Sequence, residues 1–536
     1  MTIRTSRLAA LATAPLLVIG ALAAAAPAQA APERTAESHS AAVWLTDALT
    51  DGVFHNPQYD FDDYGVTIDA LLALDYVGGY ADDVQDIADA LADGIGSYTG
   101  TAFGEAYAGS IAKSAVAARA AGRDVTSFGG RNLIADLEAR VRDEGVMTGR
   151  VVDKSADGDF ANLFGQAFAA EALDAAGSER TDAVTDFLLE QQCPAGGFRL
   201  VFSRADADDQ SCTLDSQAET DATAQAIRSL ESQDDDGDVG AALVRARTWL
   251  LGQQKADGGF GGGAATEAEN TNSSALAALA LQSLGEDDAA AKAAAWVAER
   301  QVTNVHGCGT YVAIDRGAVA YNDADFTAAE TDGIGVEQAG QWFRATAPAA
   351  AALSLYRAPA PKPAATLSVV RTPAAADEFV PAGSTQKLAI SGLDPKERFC
   401  LNAGQLAGGQ ADAAGKAVIS TEIRTSTGPR TISVTGSRAA RAGSYRFYAL
   451  AKKTLSVSLG ASTVARNGKV KVTVSGLAPG EPVRIRYRSV VRTTGTASAT
   501  GTFTYTLSVG SVTGKKYVYA LGKFDNRTGV KTLTVK

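Results

Sequence analysis

The phrase Phe187-Leu-Leu-Glu-Gln-Gln-Cys-Pro-Ala-Gly-Gly-Phe198 returns as Trp249-Leu-Leu-Gly-Gln-Gln-Lys-Ala-Asp-Gly-Gly-Phe260. In each copy a helix-like run with a bulky apolar residue passes through a polar turn and Gly-Gly-Phe into a second, Ala/Leu-rich run. Weaker copies centre on Phe54, Tyr98, Gly149 and Tyr311, so six units follow one another at spacings of 44 to 62 residues. One helix pair of this length cannot bury its own apolar face, so the repeat dictates a stacked or closed array. Six hairpins can close into a ring, with six inner helices around a central cavity and six outer helices around those. Closure removes the end repeats that an open array has to cap.

The Gln-Gln-x-x-x-Gly-Gly-Phe phrase carries an aromatic residue four positions before its first Gln. It resembles the repeat of the terpenoid cyclase and protein prenyltransferase toroids, over roughly residues 40 to 357. The resemblance implies an all-α (α/α)6 toroid for that region.

The first thirty residues hold Arg4, Arg7, an apolar run from Leu8 to Ala26 and the small-residue site Ala28-Gln29-Ala30. This predicts a signal peptide over 1–30, export by the general secretory route, and a secreted or wall-associated protein. No later stretch is long and apolar enough to span a bilayer. Export makes disulfides the expected state of the four cysteines, which allow three pairings. Cys193 and Cys212 flank one loop of one repeat and are the expected pair. Cys308 and Cys400 either bridge two domains or stay free.

The net charge of −12 conceals an asymmetry. From residue 364 onward there are 25 Lys and Arg against 8 Asp and Glu, a balance of +17, so the preceding residues carry −29. Residues 358–366 read as a Pro-rich linker. Beyond it the pattern changes to strand-like alternation, as in Lys469-Val-Lys-Val-Thr-Val-Ser475. Ser391-Gly-Leu-Asp-Pro-Lys-Glu397 returns 84 residues later as Ser475-Gly-Leu-Ala-Pro-Gly-Glu481. Two immunoglobulin-like sandwiches are therefore expected, over 367–452 and 453–536. Arg484, Arg486 and Arg488 alternate and are expected on one strand face. Such a stripe is either a solvated sheet face or a contact for an anionic cell-wall or membrane surface. Nucleic acid does not suit an exported chain whose larger domain is so acidic.

Candidate site residues cluster where the inner helices begin. These starts contain Asp60, Asp62, Asp63 and Asp69 in the first unit, Asp159, Asn162 and Gln166 in the third, Asp221 and Gln225 in the fourth, and Asn272 in the fifth. A sixth start is read at Trp342 to Pro348. Helix capping accounts for many such residues. It does not account for Asp69 and Gln225, which lie a full turn further in.

Asp60-x-Asp62-Asp63 resembles the acid motif of squalene-type and class II terpene cyclases, although Tyr64-Gly65 stands where that family has Thr-Ala. The resemblance implies Asp62 as an alkene-protonating acid supported by Asp60 and Asp63. That chemistry wants a raised pKa and a dry aromatic cavity. A carbohydrate-active toroid would instead pair Asp63 or Asp69 with Asp159 or Asp221 across a sugar cleft. Only 7% of the chain is aromatic, and three of the 4 Trp fall in the outer runs. The zinc ligand set of protein prenyltransferases is missing too, because Asp-x-Cys does not occur. No metal is expected from these residues, and they leave any cofactor unknown. The reading adopted is a binder of a small molecule or glycan at the acidic cavity mouth, through Asp60, Asp62, Asp63, Asp69, Asn162, Gln166, Asp221, Gln225 and Asn272. A cyclase-like or carbohydrate-active enzyme is the alternative.

Overall fold

The computed structural model describes residues 35–233, 237–263, 266–358, 367–372, 378–438 and 441–536. The expected signal peptide and nearly all of the expected linker lie outside the described residues. Outer helices α1 (Ala36–Asp47), α3 (Ala81–Tyr98), α5 (Leu133–Glu138), α7 (Thr181–Glu190), α9 (Gly237–Gln253) and α11 (Asp287–Ala298) alternate with inner ones. The inner helices are α2 (Tyr64–Val77), α4 (Ala108–Ala120), α6 (Leu163–Ala175), α8 (Thr220–Leu230), α10 (Thr271–Ser283) and α13 (Val336–Ala352), with α12 (Asp323–Asp332) as an insertion before the last. Each inner helix packs on the next, and α13 returns to α2, so the array is a closed toroid.

The repeated phrase proves to be a set of backbone locks. In α2, α6, α8 and α10 the residue four places after the N-cap is Thr67, Gln166, Thr223 and Ser274. Its side-chain oxygen accepts the N–H of Phe54 at 3.0 Å, Val151 at 3.0 Å, Phe198 at 2.8 Å and Phe260 at 3.0 Å. A buried N–H left without such a partner would cost about 1–3 kcal/mol, so each turn is tied to the helix that follows it. The glycine before it has positive φ and lies against the next outer helix. A Cβ on Gly196 would sit 2.6 Å from the Arg245 carbonyl oxygen of α9, and one on Gly258 2.4 Å from that of Lys292 in α11. The following glycine meets the motif's aromatic residue, Gly197 against Trp249 and Gly259 against Trp296. The second Gln bridges units as well. Gln192 Nε2 donates to the carbonyls of Gly196 and Ala242, each at 2.8 Å.

These locks also close the ring. Gln301 Nε2 donates at 2.8 Å to the Glu37 carbonyl of α1, and Gly317 lies against Ser40 of the same helix. Phe54 stacks on Phe343 of α13 with ring centroids 4.1 Å apart. The sixth copy is therefore centred on Val319, whose N–H donates to Thr346 Oγ1 at 2.9 Å, and not on Tyr311, which sits exposed on a short 3-10 turn. Its inner helix begins at Val336, well before the expected Trp342, so Trp342 belongs to an inner helix. The second unit lacks the lock: α4 has Ile111 at the lock position, and Tyr107 N–H bonds the Thr99 carbonyl instead.

The tail forms two mainly antiparallel sandwiches with separate cores, each with parallel pairing at a sheet edge. In the first, strands Ser368–Arg371, Thr385–Ser391 and Lys416–Glu422 face a five-stranded sheet that includes Arg398–Asn402. In the second, Ser456–Leu459, Lys469–Ser475 and Thr502–Ser508 face a sheet that includes Pro482–Tyr487. The duplicated heptapeptide ends in a fully buried glutamate in both copies. Glu397 pairs with Arg441 at 2.8 Å, and Glu481 with Arg527 at 2.7 Å. The arginine stripe is shorter than expected. Arg484 and Arg486 share the outer face of Pro482–Tyr487, but Arg488 has φ of 52° and belongs to the hairpin turn that follows.

Both disulfides are present. Cys193 is bonded to Cys212, as expected, and closes a loop of 19 residues worth about 3 kcal/mol in the chain-entropy description. Cys308 is bonded to Cys400, which staples the first sandwich to the toroid. Around this staple Arg438 pairs with Glu299 at 2.9 Å, and Arg398 pairs with Glu330 while its guanidinium lies 4.7 Å from the Phe326 ring centroid.

Candidate functional site

The lock residues Thr67, Gln166, Thr223, Ser274 and Thr346 fix the rotation of five of the six inner helices, and so decide which of their positions face the ring axis. Two residues beyond the lock the side chains are Asp69, Phe168, Gln225, Leu276 and Pro348, with Lys113 at the same place in α4, and all six line a central cavity of about 350 Å³. One turn deeper the lining is Leu72, Val116, Glu171, Arg228, Leu279 and Ala351. Nearer the helix starts it is Phe164, Asp221, Asn272 and Arg344. Polar groups thus alternate with apolar walls, and the size lies at the lower end of ligand pockets.

Most of the charge in this cavity is balanced. Lys113 Nζ lies 2.6 Å from Asp69 Oδ1 and donates to the Gly65 carbonyl at 2.8 Å. Burial pulls the Lys113 pKa down, but Asp69 and the neighbouring Tyr98 more than offset that and leave it above the ordinary value. Arg344 pairs with Asp63 at 3.1 Å. Burial raises the Glu171 carboxyl, with Arg228 and the Ser229 hydroxyl opposing the shift. Gln225 Nε2 donates to Ser229 Oγ at 3.1 Å, which extends this chain along the wall. Burial also raises the Asp221 carboxyl, opposed only by the Ser273 hydroxyl. Asp221 Oδ1 and Asn272 Oδ1 are buried and accept no hydrogen bond.

The sequence-predicted residues separate into three groups. Asp69, Asp221, Gln225 and Asn272 meet in the cavity. Asp63 caps α2 through Val66 N–H at 3.1 Å and reaches the mouth through Arg344. Asn162 caps α6 and also lines an adjoining pocket of about 410 Å³ that shares Lys113, Phe164 and Phe168 with the cavity. Gln166 is consumed by the wall, accepting from Val151 N–H and donating to the Gly149 and Val184 carbonyls. Asp159 is bound to Arg150 at 2.7 Å outside the cavity. Asp60 and Asp62 stand on a surface hairpin, bonded to His55 at 3.2 and 2.9 Å, with Asp62 half exposed. The dry surroundings that an alkene-protonating acid requires are thus not found at this motif.

Lys113, Glu171 and Arg228 lie beyond the helix starts that hold the sequence-predicted residues, whereas Arg344 lies within the stretch Trp342 to Pro348 and was not among them. Register carries the signal that finds them. Lys113 aligns with Asp69 and Gln225, and Glu171 aligns with Arg228 one turn on. Among the described residues no three His, Cys, Asp or Glu side chains converge to hold a metal.

The prenyltransferase alpha-alpha toroid domain family matches residues 128–310. No curated protein matches the chain. Among solved structures, the type II terpene cyclase MstE from Scytonema is 16% identical, with 59% of this chain and 96% of that chain covered at a TM-score of 0.40. A protein from Actinoplanes is 16% identical over 60% of this chain and 98% of that chain, with a TM-score of 0.39. The Yersinia pseudotuberculosis adhesin InvE is 13% identical over 32% of this chain, with a TM-score of 0.19, and the match spans 58% of that adhesin. Within the helical region, residues 128–310 are thus similar to the prenyltransferase alpha-alpha toroid domain.

Proposed function

We propose that this is an exported binding protein that holds a small ligand in the central cavity of its toroid. The observation that carries the reading is the register of the inner helices, which turns one side chain from every unit onto the same cavity and varies its chemistry from unit to unit. A structural ring has no need of that variation. The composition of the first thirty residues supports export, and so does the pairing of all four cysteines as disulfides. The basic tail serves as a spacer or associates with anionic cell-wall or membrane surface.

Native mass spectrometry of protein purified from its own culture medium should find a bound small molecule. Leu276→Trp should fold and lack it, because the indole would occupy the cavity. Wild-type protein that carries no added mass, and that differs in no binding assay from Leu276→Trp, would refute the reading. Acid catalysis has one observation in its favour: Asp221 and Glu171 are half-buried carboxyls whose pKa is raised by desolvation inside the cavity. Turnover of the captured molecule that stops in Asp221→Asn or Glu171→Gln would make the protein an enzyme.

A further inference from the structure

The two sandwiches are copies, so one sheet face can be compared in both. In the first, strand Arg398–Asn402 turns Cys400 and Asn402 outward, and the neighbouring Gly428–Gly436 adds Thr431, Ser433 and Thr435. This face rests on the toroid: Cys400 is bonded to Cys308, and Gly309 lies against Leu406 of the adjoining strand. In the second copy the matching strands are Pro482–Tyr487 and Gly514–Leu521, where Arg484 pairs with Leu521 and Arg486 with Tyr519, as Cys400 pairs with Thr435 and Asn402 with Ser433. The same positions therefore read Arg484 and Arg486 on one strand, and Tyr517, Tyr519 and Leu521 on the other. Small hydroxyl residues have given way to rings, and a cysteine and an amide to two cations. The interior does not ask for this change, because each sandwich closes its own apolar core on the opposite face of these strands.

Tyr517 is 53% exposed, and its ring centroid lies 6.3 Å from that of Tyr519. The Arg486 guanidinium lies 4.8 Å from the Tyr519 centroid, which holds its planar fork on the face. Among the described residues neither Arg484 nor Arg486 forms an ion pair, and Arg486 Nε is buried without an acceptor. A ring beside an unpaired guanidinium suits two features of one ligand. The C–H face of a sugar ring packs on the aromatic, and a carboxylate or phosphate on the same polymer accepts a pair of N–H bonds. Around them, Thr494, Thr528 and Thr532 stand on the flanking strands and offer hydroxyls to the hydroxyls of a sugar. The face spans four strands, which fits an extended polymer better than a single headgroup. Charge complementarity points the same way, since the tail carries +17, and the first sandwich is docked through Arg398 and Arg438 on toroid carboxylates.

We propose that this outer face of the second sandwich binds an anionic polysaccharide, with Tyr517 stacked on a sugar ring and Arg484 and Arg486 on its acidic groups. This rests on the reading of the tail as wall-associating and adds the site and the chemistry it selects. The toroid cavity plays no part in it.

The test uses the full mature chain at low salt and four probes: polygalacturonate, the same polymer fully methyl-esterified, polyglutamate, and phosphatidylglycerol vesicles. Polygalacturonate should bind about tenfold or more tighter than its uncharged ester, as one charge-assisted hydrogen bond implies. Tyr517→Ala should weaken polygalacturonate about fivefold, as the loss of one ring contact implies, and leave polyglutamate unchanged. Arg484→Ser with Arg486→Ser should weaken both polyanions. Lys469→Ser with Lys471→Ser removes the same charge from the exposed positions of the opposite sheet, and should change polygalacturonate binding by less than about twofold, as exposed charges away from the contact do. Equal losses in the arginine and lysine variants, or polygalacturonate binding that Tyr517→Ala does not alter, overturn the site and leave a tail drawn to polyanions by net charge alone. Vesicle binding that needs Tyr517, in a protein that ignores polygalacturonate, overturns the ligand class in favour of a membrane. Failure of wild-type protein to bind any probe overturns the wall-associating role as well and leaves the tail a spacer.

Discussion

The toroid and the two sandwiches are both made by repeating a unit, and they differ in where the copies diverge. Around the ring, lock residues such as Thr67, Thr223 and Ser274 repeat one bond, while the positions two residues beyond them run through Asp69, Gln225 and Leu276 and point inward. In the sandwiches the interior repeats, with Glu397 and Arg441 in one matched by Glu481 and Arg527 in the other. The surface is what changes. Arg398 and Cys400, which dock the first sandwich on the toroid, become Pro482 and Arg484 in the second. Inward divergence varies the lining of the central cavity, and outward divergence decides what a domain rests against.

The largest expected effect tests whether the sandwich interior is the repeated part. Glu481→Ala leaves Arg527 charged and buried, and should cost about 3–5 kcal/mol in denaturant unfolding of the second sandwich. Arg484→Ser on the exposed face should stay within about 0.5 kcal/mol. Equal costs would erase the contrast between core and surface. A second pair of variants applies the same logic to the ring. Gly258→Ala forces a Cβ to 2.4 Å from the Lys292 carbonyl at a φ of +107°, and should cost about 2–3 kcal/mol. Gln225→Leu, in the cavity, should change stability by less than about 1 kcal/mol, because it gives up only the bond to Ser229.

Smaller still is the pH dependence carried by Asp221. With the Asp221 pKa raised in the folded state, the folded chain binds more protons than the unfolded one between the ordinary Asp value and the raised one. Stability of the ligand-free protein therefore falls as pH rises through that window, by at most about 1.4 kcal/mol per pH unit for one group. Asp221→Asn should flatten this part of a thermal-unfolding profile, and an unchanged slope would show that Asp221 is already satisfied. The weakest effect belongs to the outer surface. The +17 tail should adsorb to anionic wall material or vesicles at low salt and desorb near 1 M, where the Debye length is about 3 Å. If it ignores both surfaces, it is a spacer.

The toroid was legible because its phrase is a list of close approaches. Gly-Gly is required where a turn touches the next outer helix, and Trp or Phe where that helix covers the turn. The sixth copy was misplaced on Tyr311 because Val319 had lost the aromatic residue while keeping the hydrogen bond to Thr346. Part of the site was legible for a similar reason. Asp69 and Gln225 stood one turn beyond any capping duty, and both lie in the cavity. Gln166, a ligand-binding candidate like them, occupies the lock position, two residues earlier, where its amide belongs to the wall.

By itself the sequence determined the repeat, the closed ring of helix hairpins, the change to strands in the tail and the Cys193–Cys212 pair, because each follows from local spacing along the chain. The tertiary structure alone decided that Cys308 meets Cys400, that Asp60 and Asp62 turn to His55 at the surface, and that Lys113, Glu171 and Arg228 join Asp69 and Asp221 around one cavity. Those outcomes depend on the rotation of six helices about their own axes. A shift of one residue moves a side chain by about 100° around a helix, so only the packed ring fixes which residues face inward.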